Sequence, residues 1–290
     1  MTRRARRLGL VTCAAAPDPT GDDLLLAPPL RELGWEVHGA PWDAAETDWS
    51  SFDCCIFRSC WNYSFRLPEF LSWLYEMETL AVQFWNPVQT VRWNLRKSYL
   101  RELEAAGLPV VPTVYVAQRE RVDLEDLVRA REWREFVVKP DVGLGGYQIE
   151  RVRQERAREV QGLIEGMLTT AGLLVQPYLP EVESRGELSL IFFGHEYSHA
   201  VLKTPPPGEF RVQLHHGGTA ERYEADAEAV SLAREVIAAC GEPPLYARVD
   251  VIPDAQRLLV VEVELIDPVL YLALDRAAPR RFARAFAALG

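Results

Sequence analysis

The sequence predicts an α/β unit at the N-terminus followed by an α+β unit rich in antiparallel strands, divided into two or three closely packed subdomains. Three observations carry this expectation. Strand-like and helix-like segments alternate through the first part of the chain, as parallel-sheet units do. Beyond residue 135 the texture changes to short apolar runs joined by glycine and proline turns, as hairpins require. With 290 residues, 48% of them apolar and 26% charged, the chain can bury a full core without disulfides or other staples.

Residues 8–13 read as a buried strand, 24–33 as a helix, 35–39 and 54–58 as further strands, and 68–77 as an amphipathic helix with Pro68 in its first turn. These form a domain over 1–93. A second subdomain, 94–180, opens with a helix capped by Asn94, propagated from Lys97 to Ala106 and stopped by Gly107 and Pro109. Strands follow at 110–116, 136–139, 147–152 and 173–176, with a helix over 154–171. The third subdomain, 181–290, begins with a hairpin of 187–193 and 197–203 around Gly194-His195. It continues with a strand at 210–215, a helix over 225–240 ended by Gly241, a last hairpin of 246–252 and 258–265, and a closing helix after Pro279.

The net charge of −10 argues against a general nucleic-acid binder and against a polybasic membrane binder, but a local Lys/Arg cluster can still hold a phosphorylated small molecule. The five cysteines (Cys13, Cys54, Cys55, Cys60 and Cys240) are odd in number and show no zinc-like spacing, which fits free thiols in a reducing cytoplasm. Arg3, Arg4, Arg6 and Arg7 ahead of an apolar run have the outline of a signal peptide. Gly9, Thr12 and Cys13 interrupt that run, so a first strand is the better reading. No stretch approaches the ~20 apolar residues of a membrane span.

The chemistry-bearing residues gather further along. Val137-Val138-Lys139-Pro140-Asp141-Val142-Gly143-Leu144-Gly145-Gly146 sets a lysine at the end of an apolar strand, before a glycine-rich turn whose N–H groups suit phosphate. It is neither a Walker loop nor a GxGxxG opening a helix, and alone it is equally an ordinary hairpin turn. Gln176-Pro177-Tyr178-Leu179 follows a buried strand and is either an adenine-reading segment or a hinge. The sharpest signal is 258–265, where alternation puts Glu262 and Glu264 on one face and Val261, Val263 and Leu265 on the other. Two carboxylates in so apolar a strand call for a cation between them. On the partner strand Arg248 and Asp250 share a face, and a five-residue connection, 253–257, predicts Arg248 opposite Glu262. Asp250, Glu262 and Glu264 are then three hard oxygen donors beside an arginine, suited to Mg²⁺ bridging phosphates; a solvated face of charges is the alternative.

Taken in order along most of the chain, these features resemble the ATP-grasp superfamily, in particular its glutathione-synthetase-like and RimK-like carboxylate ligases. The resemblance implies ATP and Mg²⁺ bound between the two subdomains of an ATP-grasp fold, with 1–93 on the substrate side. It implies that Lys97 and Lys139 contact phosphates, and that Gly143, Gly145 and Gly146 belong to a flap over the triphosphate. Gln176, Pro177, Tyr178 and Leu179 would contact adenine, and Glu183, or in its place Glu181, the ribose. Glu187 matches an acidic position of the following strand. Lys203 and Arg211 match basic residues facing the phosphates or an acyl-phosphate, Arg248 the family's arginine, and Asp250 and Glu262 its metal acids. The third ligand position is commonly Asn, in Glu-x-Asn-x-x-Pro-Gly; here it is Glu264, and Ile266-Asp267-Pro268-Val269 departs from the usual ending. The added negative charge reshapes the acceptor end of the site. Arg58-Ser59-Cys60-Trp61-Asn62-Tyr63, with Asn86-Pro87 and Trp93-Asn94, looks closer to a branch of small ATP-grasp ligases that includes the cyclising ligase of cycloserine biosynthesis.

The implied reaction has two steps: a substrate carboxylate attacks the γ-phosphate to give an acyl-phosphate, and an amine or similar nucleophile displaces phosphate. Arg58 leaves the end of an N-terminal strand and is expected to clamp the substrate carboxylate, with Asn62 and Tyr63 nearby; a structural salt bridge is the alternative. His215 is expected to line the acceptor pocket beside Arg211 and Gln213. His215-His216 is not expected to bind zinc, because neighbours on a strand point to opposite faces. Trp61, Trp73, Trp85 and Trp93 are expected in the core. The partners are a small-molecule carboxylate and a nucleophile, and a homodimer is the default by analogy. Two rivals stay open: a nucleotide-binding or regulatory protein that keeps the fold without turnover, and a kinase that stops at phosphoryl transfer.

Overall fold

The computed structural model describes residues 5–255 and 257–289; Arg3 and Arg4 of the basic N-terminal run lie outside them. β1 (Arg6–Thr12), α1 (Asp22–Glu32), β2 (Trp35–Pro41), β3 (Cys54–Phe57), α2 (Leu67–Met77) and β4 (Gln83–Trp85) build the first layer. Its strands are parallel, in the order β2-β1-β3-β4. The run that outlines a signal peptide is the inner strand β1, with Leu8, Leu10 and Val11 fully buried. As parallel sheets require, both faces are covered. Trp42, Phe57, Phe70, Trp73 and Phe84 pack on one, and Leu26 and Leu30 of α1 on the other. Trp61 is the exception to the expected core tryptophans, standing exposed just after β3.

α3 (Val88–Asn94) and α4 (Tyr99–Ala105) lead into the second layer. The helix expected over 94–106 therefore forms only at 99–105, with a separate short helix before it. Asn94 ends the first, because its amide is engaged by backbone groups of the last hairpin, and the Lys97 N–H bonds Asp141 O at 2.7 Å. β5 (Val114–Val116), α5 (Leu124–Ala130), β6 (Glu135–Pro140), β7 (Glu150–Arg153), α6 (Ala157–Leu168) and β8 (Leu173–Pro177) form an antiparallel sheet ordered β5-β8-β6-β7, with both helices packed on it.

α7 (Glu181–Arg185) leads to the third layer: β9 (Glu187–Phe193), β10 (Glu196–Thr204), β11 (Thr219–Tyr223), α8 (Ala227–Ala239), β12 (Tyr246–Pro253) and β13 (Leu258–Glu264). This sheet is antiparallel in the order β11-β10-β9-β12-β13, with α8 packed on it. α9 (Ala278–Leu289) returns to the first layer, where Phe282 and Phe286 join Leu8, Leu10, Leu26 and Leu30 in one cluster. The strand expected at 210–215 is instead an irregular segment ending in a 3₁₀ turn at Leu214–His216. The Glu209 carboxylate accepts the N–H groups of Phe210 (2.9 Å) and Arg211 (3.1 Å), which removes them from any ladder. Among the described residues no helix is long and apolar enough to cross a membrane, and all five cysteines are free thiols.

Candidate active site

The acid face is set by the β12–β13 hairpin. Arg248 stands opposite Glu264 and Asp250 opposite Glu262, not Arg248 opposite Glu262 as the loop length predicts. Two one-residue shifts add up: Pro253 already pairs with Leu258, which shortens the connection to 254–257, and a bulge after Asp250 then pairs Val251 with Val260, leaving Val261 over. Val260 thereby joins Val263 and Leu265 in the core, and Val261 packs with Ile252 instead, contrary to the face expected for it. β13 is the edge of its sheet, and side chains close its outer side. Asn94 donates to Val263 O and accepts from Leu265 N–H, both at 2.9 Å; Tyr99 Oη donates to Val263 O (2.9 Å) and accepts from its N–H (2.8 Å). Asn86 donates to Leu265 O at 2.7 Å and Tyr246 O at 2.9 Å. An open edge is free to slip, so these three side chains hold Glu262 and Glu264 in place.

Four cations face four carboxylates here. Lys97 Nζ lies 2.6 Å from Glu262 Oε1 and donates to Gly143 O at 3.0 Å. Lys203 contacts Glu187 and, at 3.2 Å, Asp250. Arg248 grips Asp250 through Nε at 3.0 Å and Nη2 at 2.9 Å, and Nη2 also donates to Glu264. Ser189 Oγ adds a 2.6 Å bond to Asp250, and Lys139, 5% exposed, completes the set. Burial opposes ionisation of Asp250, but Arg248 and Lys203 outweigh it and hold the carboxyl well below its usual range. Glu262 is lowered too, burial being overcome by Lys97 and Lys139. Burial pushes Glu264 up to about 7, opposed by Arg248 and reinforced by Glu262. It pushes Lys139 down to about 8, against Glu262 and with Lys97.

Among the described residues no three carboxylate, imidazole or thiol groups converge into a ready metal cage. Asp250, Glu262 and Glu264 share a face, but their oxygens are engaged by the cations. Asp250 and Glu262, directly opposed, are nonetheless hard donors of the kind of which Mg²⁺ takes one or two along with phosphate oxygens, so the donor chemistry fits that ion. Glu264 is held by Arg248.

Beside the acid face opens a cleft between the second and third layers. Val137, Ile149, Ile252 and Val261 give it apolar walls; Lys139, Glu187 and Arg211 also line it. Gln176, Pro177, Tyr178 and Leu179 all face it, the Gln176 amide donating to Thr113 Oγ1 at 2.8 Å. Glu183 does not line it: it accepts from Arg151 at 2.5 Å and from the Tyr178 hydroxyl, while Arg151 lies 3.6 Å over the Tyr178 ring. Arg211 is paired with Glu209 at 2.7 Å. The glycine turn passes through left-handed backbone at Gly145 (φ 60°) and Gly146 (φ 78°), conformations a side chain would strain. Nε2 of His215 and of His216 lie 2.7 and 3.2 Å from Gly145 O. The two rings thus meet on one carbonyl rather than facing apart, because 210–216 is not a strand. Tyr147 continues the turn and meets Phe65 of the first layer edge-on at 5.1 Å, both rings exposed.

On the substrate side the salt-bridge alternative holds for Arg58. Only 3% exposed, it donates from Nε to Asp23 at 2.7 Å and from Nη2 to Pro268 O at 2.8 Å. Asn62 is tied between Trp42 Nε1 and Asp43, each at 2.7 Å, and Tyr63 is buried, stacked on Phe70. The Asn62 amide is thus engaged within the first layer, while the Tyr63 hydroxyl feels the charge of Asp267, Glu264 and Glu262. Ser189, Tyr99 and Asp23 carry positioning roles that the sequence did not mark, and Asn86 and Asn94, marked there by resemblance or as a cap, hold a strand edge instead.

Both halves of this arrangement have counterparts. Residues 8–86 match the family model for the N-terminal domain of D-cycloserine synthetase DcsG, and 103–277 that for the ATP-grasp domain of prokaryotic glutathione synthetase. Cycloserine biosynthesis protein DcsG of Streptomyces lavendulae is 33% identical over 292 residues, covering 97% of each chain. Glutathione synthetase of Nitrosomonas europaea is 27% identical over 215 residues, covering 73% of this chain and 63% of that one. The crystal structure of D-cycloserine synthetase DcsG superposes with a TM-score of 0.88 at 32% identity, covering 98% of this chain and 99% of that one. D-alanine–D-alanine ligase from Bacillus anthracis complexed with ATP shares the fold, with a TM-score of 0.70 at 14% identity over 98% and 97% of the two chains. With a parallel α/β layer ahead of two antiparallel sheets flanking a cleft, and matches along nearly its whole length, the chain belongs to the ATP-grasp ligases.

Proposed function

We propose that this chain binds ATP with Mg²⁺ in the cleft beside its acid face and uses it to join a carboxylate to an amine-type nucleophile within one amino-acid derivative, closing a ring as the names of its cycloserine-forming relatives suggest. One observation carries the reading: a largely apolar cleft runs into a buried cluster of four cations and four carboxylates. The backbone at Gln176, Pro177, Tyr178 and Leu179 presents an edge for adenine, with Glu183 acting through Tyr178. Lys97 and Lys139 are the phosphate partners. Because the cluster is balanced, a triphosphate arriving alone leaves surplus negative charge, so it enters together with a divalent cation.

Asp250 and Glu262 would hold that ion, with Glu264 beside them. When bound, Mg²⁺ neutralises the phosphoryl oxygens and draws charge from the transferring group. The residues of the chain do the rest. Arg248 and Lys203, fixed by Asp250, Glu187 and Glu264, stabilise charge on the group in transit without reorganising. The carboxylate displaces ADP to give an acyl-phosphate, and the nucleophile then displaces phosphate. Five free thiols suit a cytoplasmic setting.

The test is ADP release with Mg²⁺ across amino-acid derivatives, with hydroxylamine added to trap activated carboxylate as hydroxamate. Substrate-dependent ADP with hydroxamate, both lost in Glu262→Ala, is the expected result. A stable phosphate ester identifies a kinase. ATP binding without ADP release under any substrate identifies a non-catalytic protein.

A further inference from the structure

The glycine turn has a one-sided backbone. Its carbonyls are engaged in succession: Gly143 O accepts from Lys97 Nζ at 3.0 Å, Leu144 O from the Tyr147 N–H at 3.1 Å, Gly145 O from the two imidazoles, and Gly146 O from the Ile149 N–H at 3.4 Å. The N–H groups of Gly143, Leu144, Gly145 and Gly146 donate to no partner among the described residues. Gly145 O is the carbonyl held from the third layer. A carbonyl only accepts, so each ring at hydrogen-bond distance carries its proton on Nε2, and the two lone pairs take one ring each.

The segment that delivers the rings is fixed by its own backbone. His216 N–H and Gly218 N–H both donate to Gln213 O, at 2.9 and 3.2 Å, and Gly217 N–H donates to Leu214 O at 3.0 Å. A Cβ at Gly218 would collide with Val212 O, so the turn closes only around a glycine there. Its 3₁₀ form sets neighbouring side chains about 120° apart rather than on opposite faces, which brings the ring centroids of His215 and His216 to 4.3 Å. The fit against the flap leaves no slack: a Cβ at Gly145 would stand 3.0 Å from His215 Cε1, and one at Gly146 3.2 Å from His216 Nε2.

In a planar trans peptide the carbonyl and the following N–H point in opposite directions. Holding Gly145 O toward the imidazoles therefore turns the Gly146 N–H away from them. Glycine on both sides leaves this peptide the freest in the turn, so a tether on its carbonyl has the most to fix. We propose that His215 and His216 are positioning residues for ATP: they tether Gly145 O so that the free N–H groups of the turn face the outer phosphates, at the end where Lys97 joins the turn to Glu262. They act through the backbone of the flap, in place of the acceptor-pocket role expected of His215. The assignment rests on the ligase reading above.

The experiment measures, on the full chain with Mg²⁺, calorimetric binding of AMP-PNP and of AMP to wild type and to two double variants. His215→Phe with His216→Phe keeps flat rings and removes the N–H donors. His215→Gln with His216→Gln returns an N–H close to the place of Nε2. Thermal unfolding checks that each is folded, and the single Phe variants, each expected to lose about 3-fold, serve where the double one is not. The Phe pair should weaken AMP-PNP about 10-fold, the loss of two neutral hydrogen bonds, and leave AMP, which lacks the outer phosphates, unchanged. The Gln pair should recover most of that loss. Unchanged AMP-PNP binding by the Phe pair, or an equal loss in both pairs, overturns the assignment. So does a Phe pair that weakens AMP by the same factor, which would make the rings a support of the cleft as a whole. These outcomes leave the ligase reading intact, whereas a wild type that binds AMP-PNP no better than AMP overturns both.

Discussion

Lys139 should weaken the fold it belongs to, and its surroundings say by how much. Burial pushes its ammonium from the ordinary 10.5 down to about 8. At about 1.36 kcal/mol per unit, holding it charged in the native state costs about 3 kcal/mol relative to the unfolded chain. The sign follows from proton linkage. A lysine whose folded pKa is depressed destabilises the native state fully below the folded pKa, and the penalty fades as pH rises from about 8 to 10.5. Lys139→Met keeps an unbranched side chain of similar length and removes the charge. It is expected to stabilise the protein by about 3 kcal/mol at pH 7, with the gain vanishing by about pH 10.5, while ATP binding collapses. Urea unfolding of both proteins at pH 7 and pH 10, with ATP binding measured at pH 7, decides it. A Met variant that is less stable at pH 7, or a difference that does not change with pH, would refute the idea that Lys139 is a buried charge retained for phosphate.

Two further outcomes follow from the positioning contacts. Asn94→Ala strips the outer edge of β13 of one donor and one acceptor; Val263 O keeps the Tyr99 hydroxyl, so a loss of about 1–3 kcal/mol is expected in chemical unfolding, from the Leu265 N–H left unsatisfied. Tyr147→Ala removes an exposed edge-to-face pair with Phe65, worth about 0.5–1.5 kcal/mol, which joins the glycine turn to the first layer. Steady-state kinetics should show KM for ATP rising severalfold with the thermal midpoint lowered by only a few degrees; an unaltered KM would mean the contact does not steady the flap.

How much of this was legible in the sequence depended on how local each signal was. The strand 187–193 emerges at the bounds its apolar run implies, and the helix over 68–77 differs only by one residue at its start. The cation and acid positions Lys97, Lys139, Lys203, Arg248, Asp250 and Glu262 do converge: alternation placed Arg248, Asp250 and Glu262 on the hairpin, and the family resemblance pointed to the three lysines, Lys97 coming from the turn between α3 and α4. What escaped is what tertiary contacts decide. A connection one residue shorter than expected and a one-residue bulge together moved Arg248 from Glu262 to Glu264, and the bulge turned Val261 over. A single carboxylate, Glu209, kept 210–215 out of the sheet, and a distant strand edge took Asn94 away from a helix cap. Asn62 illustrates the same limit: its partners Trp42 and Asp43 are far enough in sequence that nothing announced it as structural.

The account stands on one geometry, a triphosphate gripped between Lys97 and Lys139 with its cation on Asp250 and Glu262. A crystal structure of the chain with AMP-PNP and Mg²⁺ tests it most directly. The account predicts adenine against Gln176, Pro177, Tyr178 and Leu179, Lys97 released from Glu262 to the phosphates, and metal on the directly opposed carboxylates of β12 and β13. Phosphates bound away from both lysines, or Lys97 still paired to Glu262 beside a bound nucleotide, would contradict it.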